Sequence, residues 1–231
     1  MIAVVAQARM TSSRLPGKVL RPLGEKRTIE YVVERLRRCR EAELVVIATS
    51  SDPSDNPVAE LCEELGVEVH RGPLEDVAGR FLEVVERFAL DAFVRVTADS
   101  PLLDQRLVDY GVELFRSGDW DVVTNVFPST FASGQSLEVV SADAFRRAYR
   151  EMTEPEEREH VTLHLYRHPD DFTIRNFVSG RDEGGLDMSL DTEEDARLIE
   201  AIFARMDRPH WEYDYDQVME LYRAATGAEA R

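Results

Sequence analysis

Ile2-Ala-Val-Val-Ala6, followed at residues 8–20 by Ala8-Arg-Met-Thr-Ser-Ser-Arg-Leu-Pro-Gly-Lys-Val-Leu20, reads as a short apolar strand running straight into a polar loop. The loop sets three cations (Arg9, Arg14, Lys18) and three hydroxyls (Thr11, Ser12, Ser13) within ten residues. Pro16-Gly17 is a turn signal that folds the chain back, so that Lys18 can face the same ligand as Arg9 and Arg14. Backbone N–H groups and the hydroxyls add donors suited to phosphate oxygens, so the loop has the chemistry of a polyphosphate cradle. The chain holds 26 arginines and only two lysines, Lys18 and Lys26, which marks the loop lysine as a specific choice of a compact, mobile ammonium.

Two familiar phosphate loops are excluded. There is no G-x-x-x-x-G-K-[ST], which sets aside the P-loop ATPases and kinases, and no G-x-G-x-x-G after the first strand, which sets aside a dinucleotide-binding dehydrogenase. The charge map isolates the loop: residues 1–40 carry ten basic and three acidic residues, whereas the whole chain has a net charge of −17. One basic mouth on an acidic protein suits a small anionic ligand and argues against nucleic-acid or anionic-membrane binding, which needs an extended basic face.

Outward from the loop, apolar runs at 44–49, 67–70, 92–97 and 121–124 alternate with segments of helical period at 28–40, 55–65, 76–89 and 104–116. That rhythm predicts an α/β fold, a mostly parallel sheet flanked by helices. Thr28 can cap the first of these helices. Beyond residue 125 the spacing predicts strands at 137–140 and 186–190, an antiparallel strand over Phe172–Val178, and helices from Ser141 and over 154–168. Thr192-Glu-Glu-Asp195 and Asp214-Tyr-Asp-Gln217 read as near capping boxes of two late helices. A single domain over 1–226 with a frayed tail at 227–231 is expected, without a linker or repeat. The first residues lack the basic start of a signal peptide and no run approaches membrane-spanning length, so a cytoplasmic protein is expected. Cys39 and Cys62 read as buried thiols on helices.

Two aspartates suit a divalent cation. Asp99 follows the strand 92–97, at the carboxyl end where open α/β sheets bind ligands, although Asp is also a common turn former before Pro101. Asp191 follows 186–190 and precedes the Thr192 cap, where an Asp can also serve the helix start. Asp104 and Asp195 read as caps. His160, His164 and His168, four apart, would share one helix face; such a face can chelate a transition metal or be merely half-buried.

The stretch Ala8–Leu20 resembles the A-R-x-x-S-x-R-L-P-G-K-x-L signature of cytidylyltransferases that make CMP-activated acidic sugars, the CMP-sialic acid and CMP-3-deoxy-manno-octulosonate synthetases and their spore-coat polysaccharide relatives. His70-Arg-Gly-Pro-Leu-Glu-Asp-Val77, Val94-Arg-Val-Thr-Ala-Asp-Ser-Pro-Leu-Leu-Asp104, Arg158-Glu-His-Val-Thr162 and Ser189-Leu-Asp-Thr-Glu-Glu-Asp195 are similar to the spore-coat branch, in the same order. The resemblance implies a Rossmann-like nucleotidyltransferase sheet that binds CTP and transfers CMP to an acidic sugar or related small acid, releasing pyrophosphate. It implies nucleotide binding by Ala8, Arg9, Ser12, Ser13, Arg14, Lys18, Asp76 and Arg80, with Arg14, Lys18 and Asp99 catalytic. Mg²⁺ would sit on Asp99 and Asp191, the acceptor near Glu138, Arg158 and His160. It further implies a homodimer with an antiparallel and helical extension from 126–178. The residues themselves leave open a phosphonate acceptor, another nucleoside triphosphate, a glycosyltransferase or a non-catalytic nucleotide-binding protein. Against the glycosyltransferase, its usual Asp-x-Asp pair is missing, since the chain reads Asp99-Ser-Pro.

Overall fold

The computed structural model describes residues 1–227. The chain runs β1 (Ile2–Gln7), a 3₁₀ turn at Lys18–Leu20, a small antiparallel hairpin of β2 (Pro22–Leu23) and β3 (Lys26–Arg27), α1 (Thr28–Leu36), β4 (Leu44–Ser50), α2 (Asn56–Leu65) and β5 (Glu68–Gly72). It continues through α3 (Val77–Arg87), β6 (Ala92–Thr97), α4 (Gln105–Arg116), β7 (Val122–Thr124), β8 (Glu138–Ser141), α5 (Ala142–Glu151), α6 (Pro155–Glu159), α7 (Leu163–Arg167), β9 (Ile174–Asn176), α8 (Glu193–Phe203) and α9 (Tyr215–Thr226). The seven-stranded sheet has the order β5-β4-β1-β6-β8-β7-β9, with β8 alone antiparallel to its neighbours. This is the mostly parallel α/β class that the alternation of the sequence predicts.

Strand β1 lies in the interior of the sheet, and its side chains divide between two cores by the two-residue period of a strand. Ile2, Val4 and Ala6 pack with residues of α1, α2, α4, α8 and α9, whereas Ala3 and Val5 pack with residues of α3 and α5. Each fully buried large side chain, such as Ile29, Ile47 or Phe93, contributes about 2–3 kcal/mol of apolar burial. Both faces being covered explains why β1 reads as a continuous apolar run. Among the described residues no helix is long and apolar enough to cross a membrane.

Several local expectations are corrected. Residues 154–168 form two short helices, because Val161 takes φ +44 between α6 and α7 and the Thr162 hydroxyl is drawn to the Glu138 carboxylate at 2.6 Å. His160 is thereby separated from His164 and His168, and the chelating face becomes Glu157, His164 and His168, with His164 Nδ1 3.0 Å from Glu157 Oε1. The strand within 172–178 is shorter and parallel to β7, since its partner is set by the sheet and not by local alternation. Residues 186–190 make only an isolated bridge, Ser133 to Asp187. Arg27, not Thr28, is the N-cap of α1: Glu30 accepts from Arg27 N–H at 2.7 Å, and the Thr28 hydroxyl donates instead to the Arg21 carbonyl. Residues 126–178 supply β8 and β9 to the main sheet. The predicted boxes at 192–195 and 214–217 are present. Asp104 and Asp195 cap as expected. Cys39 and Cys62 are unbridged, and burial pushes both thiols up, Cys62 to about 12. Cys39 lies just past α1, not on it. Of the expected tail, Gly227 forms the left-handed C-cap of α9 and residues 228–231 lie outside the described residues.

Candidate active site

The loop after β1 is closed into a ring by Gly17 N–H donating to the Met10 carbonyl at 2.8 Å. Gly17 sits at φ +75, a left-handed conformation that a side chain would strain, so the Pro16-Gly17 turn is fixed by backbone chemistry. Met10 N–H is held by the fully buried Asp55 at 2.7 Å, which also receives Ser50 N–H from the end of β4 at 3.1 Å. Lys18 therefore leaves the ring at a set place, beside the carboxyl end of β6.

Two acidic residues meet it there. Leu190 N–H donates to the Asp99 carbonyl at 2.8 Å, and this single backbone bond brings the segment before α8 alongside the end of β6. Lys18 Nζ donates to Asp191 Oδ1 at 2.7 Å and also to Asp99 Oδ2, and Arg14 reaches Asp191 Oδ2 at 2.7 Å. The three central side chains are only 13, 20 and 21 % exposed for Lys18, Asp99 and Asp191. Burial alone would lower the Lys18 pKa, but the charges and hydrogen bonds of Asp99 and Asp191 outweigh it and hold the ammonium above the ordinary lysine range. Two carboxylates converging on one positive atom form a donor set that fits a hard divalent cation.

The cavity around this cluster measures about 240 Å³. Its walls include Ala8, Arg9, Thr11, Ser12, Ser13, Arg14 and Lys18 from the loop, Arg80 from α3, Asp99 and Asp191, and His160. Thus the structure brings together in one pocket most of the residues singled out in the sequence. Arg80 is almost wholly buried, its Nη1 donating to the carbonyls of Pro73 and Leu74 at 2.8 and 3.2 Å, with its Nε left unpartnered. Gln7, Thr97, Val77 and Glu159 also line the cavity and were missed. Glu159 pairs with Arg9 at 3.2 Å, tying α6 to the phosphate loop. The one signal for Gln7 was its position, a polar residue ending an otherwise apolar strand.

Three expected residues are placed differently. Asp76 caps α3, accepting Gly79 N–H at 2.7 Å on one oxygen and the Tyr149 hydroxyl at 2.7 Å on the other. Arg158 turns to that same carboxylate at 3.3 Å and lies over the Tyr149 ring. Glu138 is buried, with Oε2 held by Arg95 at 2.5 Å and Oε1 by the hydroxyls of Thr162 and Tyr166 at 2.6 and 2.8 Å. Burial and the Glu138 charge keep the Tyr166 phenol well above its usual range, so it remains a donor.

A Rossmann-like α/β sheet with a basic loop after its first strand and paired acids at its carboxyl edge defines a nucleotidyltransferase. The family model described as cytidylyltransferase matches residues 3–219, and the chain belongs to that family. It is 32 % identical over 214 residues to the spore coat polysaccharide biosynthesis protein SpsF of Bacillus subtilis, covering 88 % of this chain and 87 % of that one. A cytidylyltransferase from Leptospira borgpetersenii superposes with a TM-score of 0.93 at 27 % identity, covering 100 % of this chain and 98 % of that one. A CMP:2-keto-3-deoxy-manno-octonic acid synthetase solved with CTP shares the fold, with a TM-score of 0.69 at 20 % identity, over 88 % of this chain and 98 % of that one.

Proposed function

We propose that this protein transfers CMP from CTP to a small acidic acceptor, an acidic sugar in surface-polysaccharide assembly, with release of pyrophosphate. The observation that carries the reading is the Lys18 ammonium clasped between Asp99 and Asp191 at the mouth of the basic loop. Arg9, Arg14 and Lys18 would neutralise the triphosphate, while Ser12, Ser13 and the loop N–H groups fix its oxygens. Asp99 and Asp191 would hold Mg²⁺, which supplies charge neutralisation at the reacting phosphate. An acceptor hydroxyl oxygen attacks the α-phosphorus in line; its bond to phosphorus forms as the bond to pyrophosphate breaks, and the hydroxyl proton passes to solvent. The protein chiefly positions the two reactants and stabilises charge.

Support for CTP comes from the family and from the structural neighbour solved with that nucleotide; support for a polysaccharide role comes from the SpsF likeness. We place the protein in the cytoplasm, where CTP is made, and as a homodimer, with the open edge at β9 and the 59 % exposed Val178 beside it as the contact. The solution mass of the purified protein tests the latter. The activity is tested by pyrophosphate release with Mg²⁺, each of the four common nucleoside triphosphates, and a panel of acidic sugars and phosphonates. Release with CTP and one acidic sugar, lost in Asp99→Asn and Asp191→Asn, is the expected result. A phosphonate acceptor or a preference for another triphosphate would redirect the reading, and failure to bind CTP would overturn it.

A further inference from the structure

On the face of the sheet under α3, α5 and α7, the strands change character along their length. The apolar half, Ala3, Val5, Phe93, Val122 and Val140, lies in the core, and the next positions on the same face are Gln7, Arg95, Thr124 and Glu138. Arg95 and Glu138 are directly opposed in the register of β6 and β8, and the pair is largely buried, with side chains 19 and 5 % exposed. A charge pair in that place, with both Glu138 oxygens engaged, forms a rigid support whose direction is set by its donors. Arg95 Nε donates to Gln7 Oε1 at 3.3 Å. Because a guanidinium has no acceptor, the oxygen end of the Gln7 amide must face Arg95. Gln7 lines the cavity, and its NH₂ end is left without a hydrogen-bond partner among the described residues.

We propose that Gln7 forms the acid-reading subsite of the acceptor, its NH₂ donating to a carboxylate oxygen, with Arg95 and Glu138 as the positioning residues that hold the amide in that sense. The inference rests on the proposed transfer to an acidic acceptor and adds the group that recognises the acid. The triphosphate already has three cations in Arg9, Arg14 and Lys18, and of the other groups that could accept from this amide, cytosine O2 and N3, the ribose hydroxyls and the acid of the acceptor, the acid alone is anionic and suits a donor backed by the Arg95 guanidinium. The spare Nη2 group of Arg95 adds positive potential behind the amide.

The test separates nucleotide from acceptor. Protein loaded with the α,β-methylene analogue of CTP, which cannot release pyrophosphate, is titrated calorimetrically with 3-deoxy-manno-octulosonate and N-acetylneuraminate and with the carboxamide of each. At least one acid binds, and its carboxamide binds roughly tenfold more weakly, the loss expected for a charge-assisted hydrogen bond. Gln7→Ala weakens the acid by about tenfold and Gln7→Glu, nearly the same in shape but opposed in charge, by more, while affinity for the nucleotide analogue stays within about twofold. Arg175→Gln, on the exposed face of β9, leaves acid binding unchanged. Arg95→Gln deprives Glu138 of its cation and tests the support only if the variant folds, so the Gln7 variants decide. Equal binding of acid and carboxamide, no binding of either acid to the loaded protein, or a loss of nucleotide affinity in Gln7→Ala would each overturn the assignment. Failure of the unaltered protein to bind the nucleotide analogue would instead overturn the proposed function itself.

Discussion

Lys18 and Asp191 stand 173 residues apart in the chain and meet at 2.7 Å, with Asp99 on the other side of the same ammonium. The contact joins the loop after β1 to the segment before α8, so the whole length of the domain converges on one nitrogen.

Replacing Lys18 with Met leaves two partly buried carboxylates facing each other without their shared cation. We expect a loss of stability of about 1–3 kcal/mol in metal-free buffer, from the unpaired and mutually repelling acids. Added Mg²⁺ should raise the melting temperature of Lys18→Met more than that of the unaltered protein, because the ammonium no longer competes for the acids. Thermal melts with and without Mg²⁺ measure this; an equal Mg²⁺ response in both proteins counts against Asp99 and Asp191 as the metal site.

Arg14 is 65 % exposed and its one hydrogen-bond and ion-pair partner among the described residues is Asp191, so Arg14→Ala should alter stability by less than about 0.5 kcal/mol. Its proposed phosphate role predicts a fall in kcat/KM for CTP of about 100-fold, the scale for one lost transition-state donor. A variant that melts early, or that turns over CTP normally, would show the guanidinium to be structural or idle.

Gly134 takes φ +86, and a Cβ there would stand 2.9 Å from the Met188 carbonyl carbon and 3.0 Å from Ser189 N. Gly134→Ala must push back the backbone that leads into Asp191. We expect a destabilisation of more than about 1 kcal/mol, from strain at a left-handed position plus the clash, accompanied by weaker activity. Circular-dichroism melts and pyrophosphate release report the two effects, and a variant with full stability would refute the close packing of these segments.

Burial lowers the His210 pKa from 6.5 to about 4, against the opposing pull of Glu34, which lies 2.8 Å away. The folded state therefore binds fewer protons than the unfolded chain between those two values, and stability present above pH 6.5 is lost progressively as pH falls toward 4. His210→Gln should flatten that part of the profile. Urea melts at half-unit pH steps measure it, and parallel profiles for the two proteins would assign the acid sensitivity to other groups.

The sheet and the phosphate loop were legible because local chemistry determines both: apolar runs between helical stripes, and a Pro-Gly turn ahead of the single lysine in the loop. That Asp99 and Asp191 come together at one place could be anticipated because each ends a segment at the edge of the sheet. The break at Val161 could not, since Pro155 to His168 has helical spacing and neither Gly nor Pro inside it; the interruption goes with a tertiary bond, Thr162 to Glu138. The parallel sense of β9 is likewise a property of its neighbour β7. Asp76 illustrates a further limit: an acid before a helix looks the same whether it holds a ligand or caps the helix, and here it caps. Gln7 escaped notice because its role depends on Arg95, 88 residues away.

The lysine clasp has one more consequence. With its ammonium between the two acids, the protein carries an internal counterion to its paired aspartates. On the proposed function, an arriving triphosphate would offer that ammonium a stronger partner and so bare the acids only when a nucleotide is bound. If Asp99 and Asp191 hold Mg²⁺ as proposed, chelators should silence the enzyme without loosening its shape, and a divalent ion without nucleotide should bind poorly.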